Sequence, residues 1–250
     1  MKAIYKAKGA AAEYSAWGCN LYVGCSHDCS YCYNKRGVFK HAMGGAKPQL
    51  KACFKDEGDA YNTFVKELTQ HGDEIVEDGG IFFSFSTDPM LAEEINLTMA
   101  CVYLAGTNGV PVQILTKATE WTCNVGVMET LYSVRKFVRV GLTLTGHDEL
   151  EPGAPSNADR TEALRRLHLS CIPTFASIEP VVDFAASLEC ILNAIPYCKE
   201  FRIGLMSPYS KKRYDWQECD RFINKVNELA FTQNLKIYYK DSIRRFHSEI

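Results

Sequence analysis

The sequence predicts an α/β fold with a parallel sheet and helices outside it. Two observations predict it. Short runs rich in Val, Ile, Phe and Tyr alternate along the chain with stretches of helical periodicity. Each β-rich run is flanked by Gly, Pro, Asn or Asp, the residues that end strands and turn the chain.

Seven runs read as strands: Cys19–Val23, Gly80–Phe85, Val110–Thr116, Phe137–Thr145, Ile172–Glu179, Phe201–Met206 and Leu235–Tyr239. Between them lie amphipathic stretches. Tyr61, Phe64, Val65 and Leu68 keep helical spacing, as do Leu91, Ile95, Met99 and Val102, and Leu188, Ile191, Leu192 and Ile195. A last helix carries Trp216, Cys219, Phe222, Ile223, Val226 and Leu229 on one face. Ser156 and Asp159 have the spacing of a capping box ahead of Leu164 and Leu167. Residues 34–58 hold Gly37, Gly44, Gly45 and Pro48 and little periodicity. They read as a long loop with a short strand near Leu50–Phe54, either covering a neighbouring site or merely connecting. Parallel strands place their working loops at the C-terminal edge of the sheet, so residues just after each strand are the ones to inspect.

A chain of 250 residues with 46% hydrophobic content suits a single domain, residues 1–250, with a sizeable core. No apolar run approaches the roughly 18 residues of a membrane span. The opening Met-Lys-Ala-Ile-Tyr-Lys-Ala-Lys lacks the apolar core of a signal peptide, so a cytoplasmic protein is expected. The net charge of −2 exerts no general pull toward phosphate backbones or anionic membranes. The basic runs Lys211-Lys212-Arg213 and Arg244-Arg245 read as solvated faces. Eleven cysteines is a high count, and in a cytosolic chain they are thiols or metal ligands. Eight are scattered and read mostly as small buried hydrophobes.

Three are not scattered. Cys25, Cys29 and Cys32 lie in Gly24-Cys25-Ser26-His27-Asp28-Cys29-Ser30-Tyr31-Cys32-Tyr33-Asn34, a loop over 24–34 that follows the first expected strand. Soft thiolates select iron–sulfur clusters, zinc or copper(I). Three ligands on a four-iron cube leave one iron open to bind a substrate. A zinc site needs a fourth ligand, which His27 or Cys19 would offer.

The C-x3-C-x2-C spacing, with an aromatic before the last cysteine, resembles the radical S-adenosylmethionine (SAM) superfamily. Ser84-Phe85-Ser86-Thr87-Asp88-Pro89, Thr116-Lys117-Ala118-Thr119, Gly141-Leu142-Thr143-Leu144-Thr145, Glu151-Pro152-Gly153-Ala154-Pro155-Ser156 with Arg160, and Ser177-Ile178-Glu179-Pro180 follow in order. This series is similar to the spore photoproduct lyase-related branch. The resemblance implies a partial (β/α)6-type TIM barrel of parallel strands with SAM across the strand ends. It implies a single [4Fe–4S] cluster on Cys25, Cys29 and Cys32, whose open iron chelates SAM. One electron, from a reductant such as flavodoxin or ferredoxin, then cleaves SAM to a 5′-deoxyadenosyl radical that abstracts hydrogen. Position by position, Ser86, Thr87 and Asp88 would meet the methionine amino group, and Lys117 the carboxylate. Thr143 and Thr145 would touch ribose or carboxylate, and Tyr31 would pack near the adenine. Glu179 and Arg160 would make polar contacts to SAM or substrate.

Local readings stand beside these. Thr87-Asp88-Pro89 would also cap a helix beginning near Pro89, and Arg160 also reads as a solvent-facing first-turn residue. Thr143 and Thr145 also read as plain β-formers. The chain departs from spore photoproduct lyase where that enzyme carries a hydrogen-donating cysteine: the matching place is Phe85. It also shows no basic extension for docking DNA; both facts count against repair of DNA lesions, though not against nucleic acid altogether, which the charge does not favour as substrate. Two other readings compete. Cys32-Tyr33-Asn34 resembles glycyl-radical-enzyme activases, although Ser-Thr-Asp-Pro stands where they carry Gly-Gly-Glu. The other is a zinc- or cluster-stabilised nucleic-acid-binding module without catalysis.

Overall fold

The computed structural model describes residues 3–206 and 213–248. Its strands are β1 (Ile4–Lys6), β2 (Trp17–Cys19), β3 (Tyr22–Val23), β4 (Gln49–Leu50), β5 (Ile81–Phe83), β6 (Val112–Thr116), β7 (Val138–Thr143), β8 (Thr174–Val181), β9 (Glu200–Leu205) and β10 (Lys236–Tyr239). Its helices are α1 (Gly37–Ala42), α2 (Glu57–Glu77), α3 (Ile95–Thr107), α4 (Val125–Ser133), α5 (Asn157–Leu169), α6 (Phe184–Ala194), α7 (Trp216–Gln233) and α8 (Asp241–Ser248).

Eight strands form one open sheet in the order β1-β2-β5-β6-β7-β8-β9-β10. From β2 onward every neighbour is parallel, and α2 to α7 supply the crossovers in turn. This is the α/β architecture the alternation predicts, a partial barrel left open at its edges. All seven expected strands have counterparts. The first is shorter than expected: Tyr22–Val23 leaves the main sheet and pairs antiparallel with Gln49–Leu50. The sequence reading misses β1, which is too short to show a period. It pairs antiparallel with β2, and the buried Glu67 carboxylate of α2 accepts from the N–H groups of Ala3 and Ile4 at 3.0 and 2.8 Å.

The pleat sorts the strands into two faces. Ile81, Val112, Ile114, Val140, Leu142, Ile178, Phe201 and Ile203 join Phe64, Leu164, Leu167 and Ile191 in the buried layer between sheet and helices. The alternate residues Phe82, Gln113, Gly141, Phe175, Ser177, Glu179 and Arg202 point to the concave interior. Gly141 is required there, because a Cβ would lie 2.3 Å from the Phe175 ring. Tyr14, just after a 3₁₀ turn at Gly9–Glu13, enters that interior. Its hydroxyl lies 2.8 Å from Ser177 Oγ and 2.5 Å from Glu179 Oε2, and its carbonyl accepts from Arg202 at 3.3 Å.

Residues 34–58 are more ordered than a loop. They carry α1 and β4, and the carbonyls of Met43 and Gly45 accept from the N–H groups of Gly24 and Cys25, both at 3.0 Å. The segment therefore holds the start of the cysteine loop backbone to backbone. Five of the eight scattered cysteines are buried as expected, while Cys53, Cys123 and Cys171 are exposed. Lys211 and Lys212 lie outside the described residues, and the exposed Arg244 and Arg245 pair with Asp241 of their own helix. No helix among the described residues is long and apolar enough to cross a membrane.

Candidate active site

The cysteine loop turns at Asp28, whose φ of 54° is a left-handed value that Asp tolerates better than most residues. Cys32 N–H then donates to the Cys29 carbonyl at 3.2 Å. Cys25 and Cys32 are partly exposed, Cys29 is buried, and none is in a disulfide. Burial pushes the Cys25 thiol up to about 12 and raises Cys29 as well, while the nearby Lys117 ammonium pulls both down. Both thiols are therefore protonated without metal, and binding iron must displace those protons.

The strand ends reach this loop through three of its own side chains. His27 is the first. Its Nε2 lies 2.7 Å from Asp88 Oδ2, and its Nδ1 lies 3.2 Å from the Gly153 carbonyl. Gly153 N–H donates back to the His27 carbonyl at 3.0 Å. A Cβ at Gly153 would meet Ser26 O at 2.3 Å, so only glycine permits this approach. Both His27 ring nitrogens are occupied and Cys19 is buried in β2, so neither is placed as a fourth metal ligand. Among the described residues no three His, Cys, Asp or Glu converge as a metal-ion site. A four-iron cube asks for something else, three thiolates spread over three irons. Three free thiols on one loop fit that donor set.

Asp88 collects five donors. Besides His27 it accepts from Thr116 Oγ1 at 2.6 Å, Lys117 N at 2.7 Å, Met90 N at 3.1 Å and Ala118 N at 3.3 Å. Burial alone would raise its carboxyl. The His27 ring and the Thr116 and Lys117 donors outweigh burial and hold it well below the usual carboxylate range. The same carboxylate raises His27 against the effect of burial. Asp88 is thus spent inside the protein, joining the cysteine loop to the end of β6. It does not cap a helix near Pro89, because α3 begins at Ile95.

Tyr31 is the second link. Its hydroxyl donates to Glu151 Oε1, and Lys117 Nζ stands 3.7 Å from the same oxygen and 5.6 Å from the Tyr31 ring centroid. Glu151 Oε2 accepts from Arg160 Nη2 and from Thr145 Oγ1 at 3.0 Å. Burial would raise Glu151, but the Lys117 and Arg160 charges hold it below the usual range. Arg160 is 0% exposed, which corrects the solvent-facing reading. Its remaining donors reach the carbonyls of Thr143 at 2.8 Å and Pro155 at 2.9 Å. The capping box at Ser156 and Asp159 starts α5 and puts Arg160 one turn in. Thr143 and Thr145 are both buried, and Thr145 turns its hydroxyl to Glu151 rather than outward.

Asn34 is the third link. Its Nδ2 donates to the Ser86 carbonyl at 3.2 Å, while its buried Oδ1 has no partner. Ser86 Oγ donates to the Tyr22 carbonyl at 2.5 Å, and Thr87 Oγ1 donates to Glu94. Phe85 stacks on Phe82 with centroids 4.4 Å apart. Glu179 lies apart from this set. It accepts from Tyr14 and from Lys240 Nζ at 2.9 and 2.8 Å.

Sequence reasoning assigned no role to Glu151, Asn34 or Glu94. Glu151 stood inside a noted motif, and Asn34 followed the last cysteine. The signal for Glu94 was a carboxyl on the apolar stripe of Leu91, Ile95 and Met99.

A thiol triad on one loop, ringed by charged strand-end residues at the C-terminal edge of an open parallel barrel, defines a cofactor-dependent α/β-barrel enzyme. The model of the Radical SAM superfamily matches residues 19–203, and the chain belongs to that superfamily. The family implies a [4Fe–4S] cluster, SAM and an electron donor. A protein of Methanocaldococcus jannaschii described as uncharacterised, MJ0683, is 24% identical over 184 residues; the match covers 70% of this chain and 63% of that protein's length. Among solved structures, a spore photoproduct lyase variant with bound AdoMet and dinucleoside spore photoproduct superposes with a TM-score of 0.70 at 11% identity, over 94% of this chain and 78% of that one. SuiB of Streptococcus suis, bound to S-adenosylmethionine, gives 0.62 at 14% identity, over 92% of this chain and 51% of its own. At these identities the likeness is one of fold.

Proposed function

We propose that this enzyme holds a single [4Fe–4S] cluster on Cys25, Cys29 and Cys32 and uses it with SAM to abstract hydrogen from a substrate still to be identified. The observation that carries the reading is the way His27, Tyr31 and Asn34 tie the cysteine loop to the ends of three strands. When bound, the cluster supplies the electron that cleaves SAM to a 5′-deoxyadenosyl radical. The chain's own residues hold the reactants.

Lys117 is the cation for the SAM carboxylate, and its charge also favours thiolate at Cys25 and Cys29. Glu151 keeps Lys117 charged and aimed, and Arg160 fixes Glu151 in turn. Tyr31 offers its ring beside the adenine. Ser86 and Thr87 form the loop for the methionine amino group, next to the unpaired Asn34 Oδ1. Thr143, Thr145 and Arg160 act by bracing this frame, and Asp88 sets the spacing between loop and β6. Glu179 faces the substrate side of the cavity. The electron comes from a small reductant such as flavodoxin or ferredoxin.

Anaerobic reconstitution with iron, sulfide and dithionite tests this. The brown protein should convert SAM to 5′-deoxyadenosine, and Cys25→Ala should lose both colour and product. Cluster-loaded protein that gives no 5′-deoxyadenosine overturns the reading.

A further inference from the structure

Between Asp28 and Asp56 the chain holds no acidic residue, yet it holds six lysines and arginines: Lys35, Arg36, Lys40, Lys47, Lys51 and Lys55. The whole chain carries a net charge of −2, so the rest of it is acidic and the positive charge gathers in this one segment. The segment runs from the end of the cysteine loop through α1 and β4 to the start of α2. Lys35, Arg36, Lys40, Lys47 and Lys55 are exposed, and Lys51 is half-buried. Gathering like charge on one surface works against the fold through self-repulsion, so it asks for a reason.

Local needs account for part of this charge. Lys35 pairs with Asp28, and Lys51 Nζ lies 5.6 Å from the Phe54 ring centroid. Lys40, Lys47 and Lys55 have no carboxylate partner among the described residues. Their backbone lies close to the thiols. A Cβ on Gly24 would sit 2.3 Å from the Lys47 carbonyl oxygen. One on Gly44 would sit 2.4 Å from the Lys40 carbonyl oxygen and 2.9 Å from that of Asn34. The segment therefore lies against both ends of the cysteine loop, at Gly24 and at Asn34. Val38 of α1 is 78% exposed and places an apolar side chain among the cations.

We propose that this basic face, centred on Lys40 and Lys47, is the docking surface for the electron donor, and that the donor is a compact acidic protein with a one-electron centre, of the flavodoxin or ferredoxin kind. This rests on the reading of Cys25, Cys29 and Cys32 as cluster ligands. One electron passes from the donor's reduced centre to the oxidised cluster, and no bond or proton is exchanged. Complementary charge steers and orients such a carrier, and Val38 supplies an apolar contact at the centre of the face. A nucleic acid matches the face less well. A long polyanion would run off this short patch onto a chain that is otherwise acidic, whereas a compact acidic protein touches the patch alone.

The test uses cluster-loaded protein with two probes, an acidic flavodoxin and an acidic [2Fe–2S] ferredoxin. Binding is read by anaerobic calorimetry and cluster reduction by stopped-flow absorbance. At least one carrier should bind the wild type, and Lys40→Glu/Lys47→Glu should weaken that binding and slow reduction by the carrier, each about tenfold. Raising salt from about 50 to about 300 mM should weaken the wild type complex severalfold and the variant complex far less. Dithionite, which needs no docking, should reduce both proteins alike and give equal 5′-deoxyadenosine. Lys136→Glu/Lys199→Glu makes the same charge change at two exposed lysines just before β7 and β9, at the opposite edge of the sheet, and should behave as the wild type. Equal losses in the two double variants, or no carrier bound by the wild type, overturn the inference. So does a single-stranded oligonucleotide that binds this face more tightly than either carrier and is lost in Lys40→Glu/Lys47→Glu, which would assign the face to nucleic acid. If that variant does not assemble its cluster, the salt dependence of the wild type decides, and binding that salt leaves unchanged overturns the inference. Cluster-loaded wild type that yields no 5′-deoxyadenosine even with dithionite removes the proposed function, and so is told apart from failure of the docking face alone.

Discussion

His27 Nε2 lies 2.7 Å from Asp88 Oδ2, and both side chains are almost completely buried. The pair joins residues 61 positions apart in the chain, one on the cysteine loop and one after β5. Through Thr116 and the Lys117 N–H, Asp88 carries the link to the end of β6. Together with the Tyr31–Glu151–Lys117 contacts, this carboxylate sets the distance from the thiols to Lys117.

Asp88→Asn keeps the shape of that hub and removes its charge. One of the asparagine's two sides must then present N–H₂ where the carboxylate accepted. Loss of one partner of a buried pair typically costs about 3–5 kcal/mol. Chemical denaturation of the metal-free protein should show a loss near the lower end of that range. His27→Gln should cost less, because Asp88 keeps its other donors. Equal losses in the two variants would contradict a hub centred on Asp88.

Arg160 and Glu151 form a second buried unit, with Lys117 and Tyr31 on the far side of the carboxylate. Arg160→Met should destabilise the protein by about 3 kcal/mol or more, because Glu151 loses its main partner in the interior. The double variant Glu151→Gln/Arg160→Met should lose less than the two single losses added together. A coupling of about 1–3 kcal/mol is expected from a double-mutant cycle. Additive losses would mean that the two side chains act independently.

Lys117→Met tests the cation directly. Charge-assisted hydrogen bonds contribute about 1.5–3 kcal/mol, so SAM affinity should fall roughly 10- to 100-fold. The substitution also removes the charge that favours thiolate at Cys25 and Cys29, so the cluster should form more slowly at neutral pH. An unchanged SAM affinity in cluster-loaded Lys117→Met would remove Lys117 from the carboxylate site.

Local features were readable from the sequence. The strands were visible because Val, Ile, Phe and Tyr gather in short runs flanked by Gly, Pro, Asn or Asp, and the capping box at Ser156 and Asp159 because it spans four residues. Features made by distant parts of the chain were not. Arg160 looked like a surface residue because its burial depends on the Thr143 carbonyl, 17 residues earlier. Glu151 acquires its setting from Tyr31, 120 residues away. Asp88 looked like a ligand contact because nothing in Thr-Asp-Pro tells that His27 will fold back onto it. The stretch at 34–58 looked like a long loop with one short strand because α1 and β4 are too short for a period, and their order comes from the cysteine loop they support.

Glu94 makes a prediction about stability without any ligand. Its folded value, raised by burial to about 9, lies well above the ordinary glutamate value of about 4.3. Between those two values the folded protein keeps a proton that the unfolded chain has released. The stability tied to that proton is fully present below pH 4.3 and is lost as pH rises through 9. Asp88 and Glu151 act in the opposite direction, since their depressed values add stability above the ordinary carboxylate range that disappears in acid. The two effects operate in different windows, so they can be separated. From pH 6 to 8.5 Asp88 and Glu151 contribute no change, while Glu94 and the raised His27 and His147 all lose stability, so the metal-free wild type should lose stability steadily. Glu94→Gln removes the Glu94 share of that slope and should be the more stable protein at pH 8.5, by at least about 1 kcal/mol, the worth of one pKa unit. Denaturation curves at several pH values would show it. A wild type whose stability stays flat from pH 6 to 8.5, or a glutamine variant less stable at pH 8.5, would mean that Glu94 is already ionised in the free enzyme.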